Sequence, residues 1–228
     1  MKASLLFQKL DLFKEKMATP QPYGVFSEFE FQYNYSQSSK GHLIGSQEWL
    51  KIIFQSKYSR KLLLGLKSEA FNNLLFIAAK QQDFFSMIYR DLVDPGRVLS
   101  QRVDRFTFHV DEVWLDIRKT ENKQIPRSHG IDLSLISLLL SITDPIKYLH
   151  YNREVFQKYL LAMESSKIQQ FDDYERYCKV MKNTYLHMNN RIDMQTIRNL
   201  QLNTSEHYAS DSIAWASIFA RHVVGDLK

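Results

Sequence analysis

Lysine and arginine residues cluster at two places in the sequence, and both clusters could neutralise the phosphates of a nucleic acid. One cluster surrounds Tyr58, and the other lies in a polar stretch. The clusters comprise Lys57, Arg60 and Lys61, and Arg118, Lys119, Lys123 and Arg127. Phosphate contacts need flexible cations on exposed backbone, which a polar stretch provides. A solvated helix face or loop is the alternative role for both clusters.

Aromatic and polar side chains alternate over residues 29–35, where the aromatic positions are Phe29, Phe31, Tyr33 and Tyr35. An alternation of period two predicts a half-buried strand with one aromatic face. Tyr33 and Tyr35 are candidate base contacts, because aromatic side chains stack extruded or unpaired bases. Packing of the same aromatic run in the core is the alternative.

Motifs for nucleotide or metal chemistry are incomplete. Phosphate-loop chemistry needs a glycine-rich turn and a lysine, and the segment GHLIG (41–45) has neither the spacing nor the lysine. His109, Glu112 and Asp116 could share one helix face as a weak metal site, but a solvated acidic stripe is the favoured interpretation. We therefore expect no cofactor, no metal and no catalytic activity in this chain.

One catalytic alternative stays open. Helical ribonucleases of the HEPN type use an arginine and a histidine four to six residues apart on a helix, and six residues separate Arg102 from His109. The polar residue that usually follows the arginine is replaced here by Val103. We retain a helical ribonuclease as the alternative enzyme class.

Composition indicates a folded and mildly basic chain. Its 228 residues are 44% hydrophobic and 13% aromatic, which is enough for a sizeable core. The net charge of +5 gives only a weak general attraction for polyanions. The single cysteine, Cys178, excludes an internal disulfide, and its place in a helical pattern predicts a buried, inert thiol. Because we find neither a signal-peptide pattern nor an apolar run that could span a bilayer, we expect a reducing cytoplasmic setting without membrane contact.

Apolar periodicity predicts helices over most of the N-terminal half. Amphipathic patterns span residues 6–17, 49–53, 71–78 and 84–92. Ser46 can cap the second of these helices. Asp94-Pro95 is a start signal for the longest helix, which keeps an apolar spacing of three or four as far as Ile117. Residues 106–110 also alternate, and an extended conformation is the alternative there.

A polar stretch from Lys119 to Gly130 is the candidate boundary between two domains, 1–120 and 131–228, with one continuous domain as the alternative. The apolar segment 133–142 is too short to cross a bilayer and too uniform for a surface helix. We therefore expect this segment at the centre of the C-terminal core.

Turn and capping residues predict the remaining elements. Asp144-Pro145 opens a turn, Asp172 begins a capping box, and Ser210 or Asp211 can cap the last helix. The expected fold is mainly α, a helical bundle, with room for one small β element near residues 25–36.

Three stretches of the C-terminal part carry a family resemblance. They read LSLISLLLSITDPIKYLHYN, FDDYERYCKVMKNTYLHM and SDSIAWASI, and they lie within residues 133–218. The chain resembles here the helical region that often precedes the AAA+ motor of McrB-like restriction subunits. The motif positions are Pro145, Tyr148, Asn152, Tyr174, Tyr177, Asp211 and Trp215. The resemblance does not extend to residues 1–130.

This resemblance implies a DNA-recognition or assembly role in bacterial restriction or antiviral defence, with an AAA+ motor or nuclease subunit as partner and catalysis elsewhere. McrB-like chains continue into a nucleotide-binding domain, which this sequence lacks, so we expect either a separated N-terminal domain or a standalone relative. Pro145 and Tyr148 are expected to build a turn and pack the core. A protein-interaction adaptor that does not bind nucleic acid is the non-enzymatic alternative.

Overall fold

The computed structural model describes residues 2–38, 43–55, 68–121, 125–168 and 172–225, and these ranges contain helices and no strand. The helices are α1 (Ala3–Met17), α2 (Ser27–Ser38), α3 (Gln47–Ile53), α4 (Ser68–Lys80), α5 (Gln82–Val93), α6 (Leu99–Thr120), α7 (Leu133–Thr143), α8 (Arg153–Ala162), α9 (Tyr174–Arg191), α10 (Met194–Gln201) and α11 (Ala214–Val223). A short 3-10 helix, Tyr23–Phe26, leads into α2. The predicted mainly α-helical bundle is confirmed.

The predicted β element near residues 25–36 is wrong, because these residues form the 3-10 helix and most of α2. The alternation suggested one buried aromatic face and one solvated polar face. In the structure Glu28, Glu30 and Gln32 are buried together with Phe29 and Phe31. The first residues of α2 are buried on all sides, so this segment has no solvated polar face. The alternation of aromatic and polar residues therefore did not indicate a half-buried strand.

One predicted helix cap is confirmed, and two other predicted helix starts are wrong. Ser46 caps α3 as predicted, since its side chain accepts a hydrogen bond from the Trp49 amide. Asp94 does not begin α6: its Oδ1 accepts from the Gly96 amide at 2.9 Å and closes the turn between α5 and α6. The prediction that Ser210 or Asp211 caps the last helix is also wrong, because α11 begins at Ala214. Residues 106–110 are helical within α6.

The apolar segment 133–142 forms α7, whose residues from Leu135 to Ile142 are all buried. Asp132 caps α7 by accepting from two amides of its first turn. The helix packs against α2 and α5, and α1 packs against α11. Helices from both sides of the polar stretch 119–130 therefore share one hydrophobic cluster. The two-domain division stays a prediction.

Candidate nucleic-acid interface

Residues 125–131 lie along the C-terminal half of α6 and are held there by two buried side chains. The Trp114 indole Nε1 donates to the Pro126 carbonyl at 3.1 Å. His129 accepts from the Ile131 amide through Nδ1 at 2.9 Å, so its Nε2 carries the proton that is donated to Asp111 Oδ1 at 2.8 Å. The contacts at Pro126 and His129 together fix the position of residues 126–129, including Arg127, against α6.

The anchored segment brings Arg127 to the cationic end of α6. Arg118, Lys119 and Arg127 are all exposed. The Arg118 Nη1 donates to the Arg127 carbonyl at 3.5 Å, which places the two residues side by side. Lys119 meets Asp116 at 3.4 Å, but both side chains are more than 70% exposed, so this ion pair is weak. Three of the predicted phosphate contacts therefore lie at one end of the longest helix.

The remaining predicted cations, Lys57, Arg60, Lys61 and Lys123, lie outside the described residues. Their role as phosphate contacts stays a prediction.

The two predicted base-contacting tyrosines lie elsewhere, on α2, and both are half-buried. The ring of Tyr35 packs edge-on against Trp49 with centroids 6.0 Å apart. Burial raises the pKa of Tyr35, and a hydrogen bond with Thr143 opposes that rise. Helix α2 packs mainly against α3 and α7, whereas α6 packs mainly against α4 and α5. Tyr35 thus packs against the core, and base contact by Tyr33 and Tyr35 stays a prediction.

Arg102, the arginine of the ribonuclease alternative, is buried inside the bundle. Its guanidinium donates to the Leu92 carbonyl at 2.8 Å and to the Tyr148 hydroxyl at 2.6 Å. His109 lies against the ring of Phe84, and its Nδ1 is 3.3 Å from Glu112. A guanidinium that is 2% exposed is closed to an RNA phosphate, so the geometry does not favour this alternative.

Tyr148, Tyr174 and Tyr177 lie in a row with their rings stacked. The rings of Tyr148 and Tyr174 are 6.5 Å apart, and those of Tyr174 and Tyr177 are 6.2 Å apart. The hydroxyls of Tyr174 and Tyr177 each donate at 2.8 Å to a backbone carbonyl, of Leu149 and of His150 respectively. These two tyrosines therefore hold the backbone of the segment between α7 and α8 in place.

Pro145, Asn152 and Asp211 also take part in contacts that hold the backbone in place. Asn152 caps α8, the Pro145 carbonyl accepts from the Ile213 amide, and Trp215 is fully buried. Asp211 accepts from Arg198 at 2.5 Å and from Tyr185 at 3.4 Å. As the sequence predicted, Pro145 lies in a turn and Tyr148 packs against the core.

Sequence reasoning missed a buried polar cluster between α2 and α11. Ser217 donates to Glu28 Oε1 at 3.1 Å, and the Arg221 guanidinium donates to the Val25 carbonyl at 3.0 Å. Burial raises the pKa of the Glu28 carboxyl, and the charge of Arg221 opposes that rise. Burial and, to a smaller extent, the charge of Arg221 together lower the pKa of His150 to about 4. The spacing of four between Ser217 and Arg221 was the available signal, since it puts both on one helix face.

Cys178 is buried, as the sequence predicted, and burial raises the pKa of its thiol to about 11. We expect a thiol reagent at pH 8 to modify Cys178 at least about 100-fold more slowly in the native than in the unfolded protein, because the native thiolate population is smaller by that factor. Absorbance measurements with and without urea give the two rates. Equal rates would show that the thiol is accessible in the native state.

Within the described ranges, no group of three histidine, cysteine or acidic side chains converges as metal ligands. No described helix is long and apolar enough to cross a membrane. Comparisons with protein-family models, with curated proteins and with solved structures find no match to this chain.

Proposed function

We propose that this chain is a non-catalytic, helical module that recognises DNA or assembles a bacterial restriction or antiviral defence complex. The observation that supports DNA contact is the anchored segment 125–131, which holds Arg127 beside Arg118. The placement in a defence complex comes from the motif of residues 145–215 alone. A motor or nuclease subunit would carry out the bond breaking.

Arginines suit this role because a guanidinium offers several donors to phosphate oxygens and keeps its charge at any physiological pH. The anchors Trp114 and His129 reduce the freedom that Arg127 would otherwise lose on binding. Arg118 and Lys119 also lie in the last turn of α6, where the helix dipole favours positive charge. The end of α6 is thereby preorganised for an extended anion such as a DNA backbone.

Replacing Arg118 and Arg127 together by Ala is expected to weaken duplex binding and to reduce the slope of log affinity against log salt by about 1.8, the amount expected for two lost phosphate contacts. Fluorescence anisotropy of a labelled duplex measures both quantities. The matched control is Lys158→Ala on α8, where the side chain is 57% exposed and pairs with Glu154.

Circular dichroism should give the same melting temperature for the double variant and the wild type, because both arginines are exposed. An unchanged salt slope in a folded double variant would contradict phosphate contact at the end of α6. A loss half as large in Lys158→Ala, which removes one charge instead of two, would show that only the net charge of the protein matters.

The second candidate function is a protein-interaction adaptor without nucleic-acid binding. It is favoured by two large apolar side chains on the outward face of α6, Phe108 at 58% and Leu115 at 49% exposed. In that case a pull-down of the motor or nuclease subunit should survive charge reversal at Lys119. Loss of capture on the same change would favour the electrostatic role.

A further inference from the structure

The outward face of α6 carries two apolar side chains between two opposite charges. Phe108 and Leu115 are seven residues apart, so they lie on the same face of the helix. Asp104 precedes Phe108 by four residues, and Lys119 follows Leu115 by four. All four side chains are exposed. The stripe is therefore symmetric in spacing and opposite in charge at its two ends.

Such a stripe is complementary to itself when a second copy runs antiparallel to it. A two-fold axis between residues 111 and 112 pairs Phe108 of each copy with Leu115 of the other. The same axis pairs Asp104 with Lys119 at both ends. This is the self-complementary arrangement that an isologous dimer requires.

We propose that the outward face of α6 binds the same face of a second copy of this chain in an antiparallel dimer. The apolar pair forms the centre of the contact, and the two ion pairs fix its register and orientation. The dimer proposal does not rest on DNA binding, but the two contacts compete for Lys119, which contributes to both surfaces.

The local partners of the charged residues are compatible with this pairing. Asp111 and Glu112 lie nearest the two-fold axis, where carboxylates of the two copies approach each other. Each of them has a histidine nitrogen beside it, His129 at 2.8 Å from Asp111 and His109 at 3.3 Å from Glu112. At the ends of the stripe, Lys119 would give up its ion pair with Asp116 and form one with Asp104 of the second copy. The pair with Asp116 is weak, because both of its side chains are exposed.

The contact is small, because two apolar side chains per copy form its centre. We therefore expect a dissociation constant on the order of 10 µM or weaker, as is typical of small transient interfaces. Sedimentation equilibrium from about 5 to about 200 µM covers this range.

The test exchanges the two charges, and it is done without DNA. Asp104→Lys and Lys119→Asp should each raise the dissociation constant at least about 10-fold, because like charges then face each other at both ends. The double variant should return to within about three-fold of the wild type. Leu115→Glu should remove the dimer, whereas Lys158→Asp, the matched surface control, should leave it unchanged.

A wild-type chain that is monomeric at all these concentrations overturns the proposal and leaves the face to another subunit. A dimer that persists in Leu115→Glu also overturns it. A dimer lost in Leu115→Glu but not restored by the charge exchange contradicts the antiparallel register. Circular dichroism of each variant shows whether a lost dimer reflects unfolding, and an unfolded Leu115→Glu is replaced by Leu115→Gln.

Discussion

Arg221→Met is expected to lower the free energy of unfolding by about 1–3 kcal/mol, because it leaves the Val25 carbonyl without its donor and removes the positive charge that opposes the rise in the pKa of Glu28. Glu28 is 2% exposed and is held between α2 and α11. Ser217 donates a hydrogen bond to it, and its second oxygen, Oε2, has no hydrogen-bond partner among the described residues. The charge of Arg221 and the hydrogen bonds from Ser217 and the His150 backbone favour the ionised form, but burial outweighs them and raises the pKa of Glu28.

The loss should be larger at pH 8 than at pH 4.5. Burial raises the native pKa of Glu28 above its ordinary value of 4.5, so this group favours the native state below that value. That contribution is lost as the pH rises through the raised native pKa, and removal of Arg221 raises this pKa further. Arg221 also lowers the pKa of His150, which destabilises the native state at acidic pH, where the unfolded state binds this proton more readily. Removing Arg221 relieves part of this destabilisation, and it does so only at acidic pH.

Urea unfolding followed by circular dichroism at both pH values measures these effects. The decisive control is Glu28→Gln, because in that background Arg221→Met should cost only about 1 kcal/mol, the contribution of the bond to the Val25 carbonyl. The exposed Arg90→Met should change stability by less than about 0.5 kcal/mol. An equal loss with and without the Glu28 carboxylate would contradict the charge coupling.

Trp215→Ala is expected to cost about 3–5 kcal/mol, the usual range for truncating a fully buried tryptophan. The indole has 0% exposure and packs at 5.7 Å from the ring of Phe26 and 5.2 Å from that of Phe29. It thereby joins α11 to the 3-10 helix and α2, which lie almost at opposite ends of the sequence. Removing it opens a cavity at the contact between them.

Trp215→Phe is the matched control, since it keeps a six-membered aromatic ring in the core. The part of the indole that it loses includes Nε1, which has no hydrogen-bond partner among the described residues. We expect it to cost less than half as much as Trp215→Ala in the same urea titrations. Leu161→Ala, at a 57% exposed position of α8, should change stability by less than about 0.5 kcal/mol. A loss below about 1 kcal/mol in Trp215→Ala would show that the α2–α11 contact is not part of the cooperative core.

The helices with a clean apolar period could be predicted from the sequence because each buries one face. That holds for α1, α5 and α6, whose buried residues recur every three or four positions. It fails for α2, where Glu28, Glu30 and Gln32 are buried beside the aromatic residues. These polar groups are buried because residues distant in the sequence pack around α2. The local sequence pattern of α2 does not show which residues those are.

The candidate interface could be predicted in part. Arg118 and Lys119 are neighbours in the sequence, so their clustering was evident. Arg127 joins them through Trp114 and His129, two side chains that bond across the polar stretch. Composition described that stretch as a loop, but it could not show which side chains hold it against α6. The short helix α10 was missed although its cap, Asp193, accepts from two amides of the first turn.

Titration of the wild-type protein against a labelled duplex, at about 50 and about 200 mM salt, tests the central claim most directly. If Arg118, Lys119 and Arg127 each neutralise one phosphate, the affinity should fall at least about 40-fold between the two concentrations. Absence of binding at the lower salt concentration, or an affinity that does not depend on salt, would contradict DNA recognition by this chain.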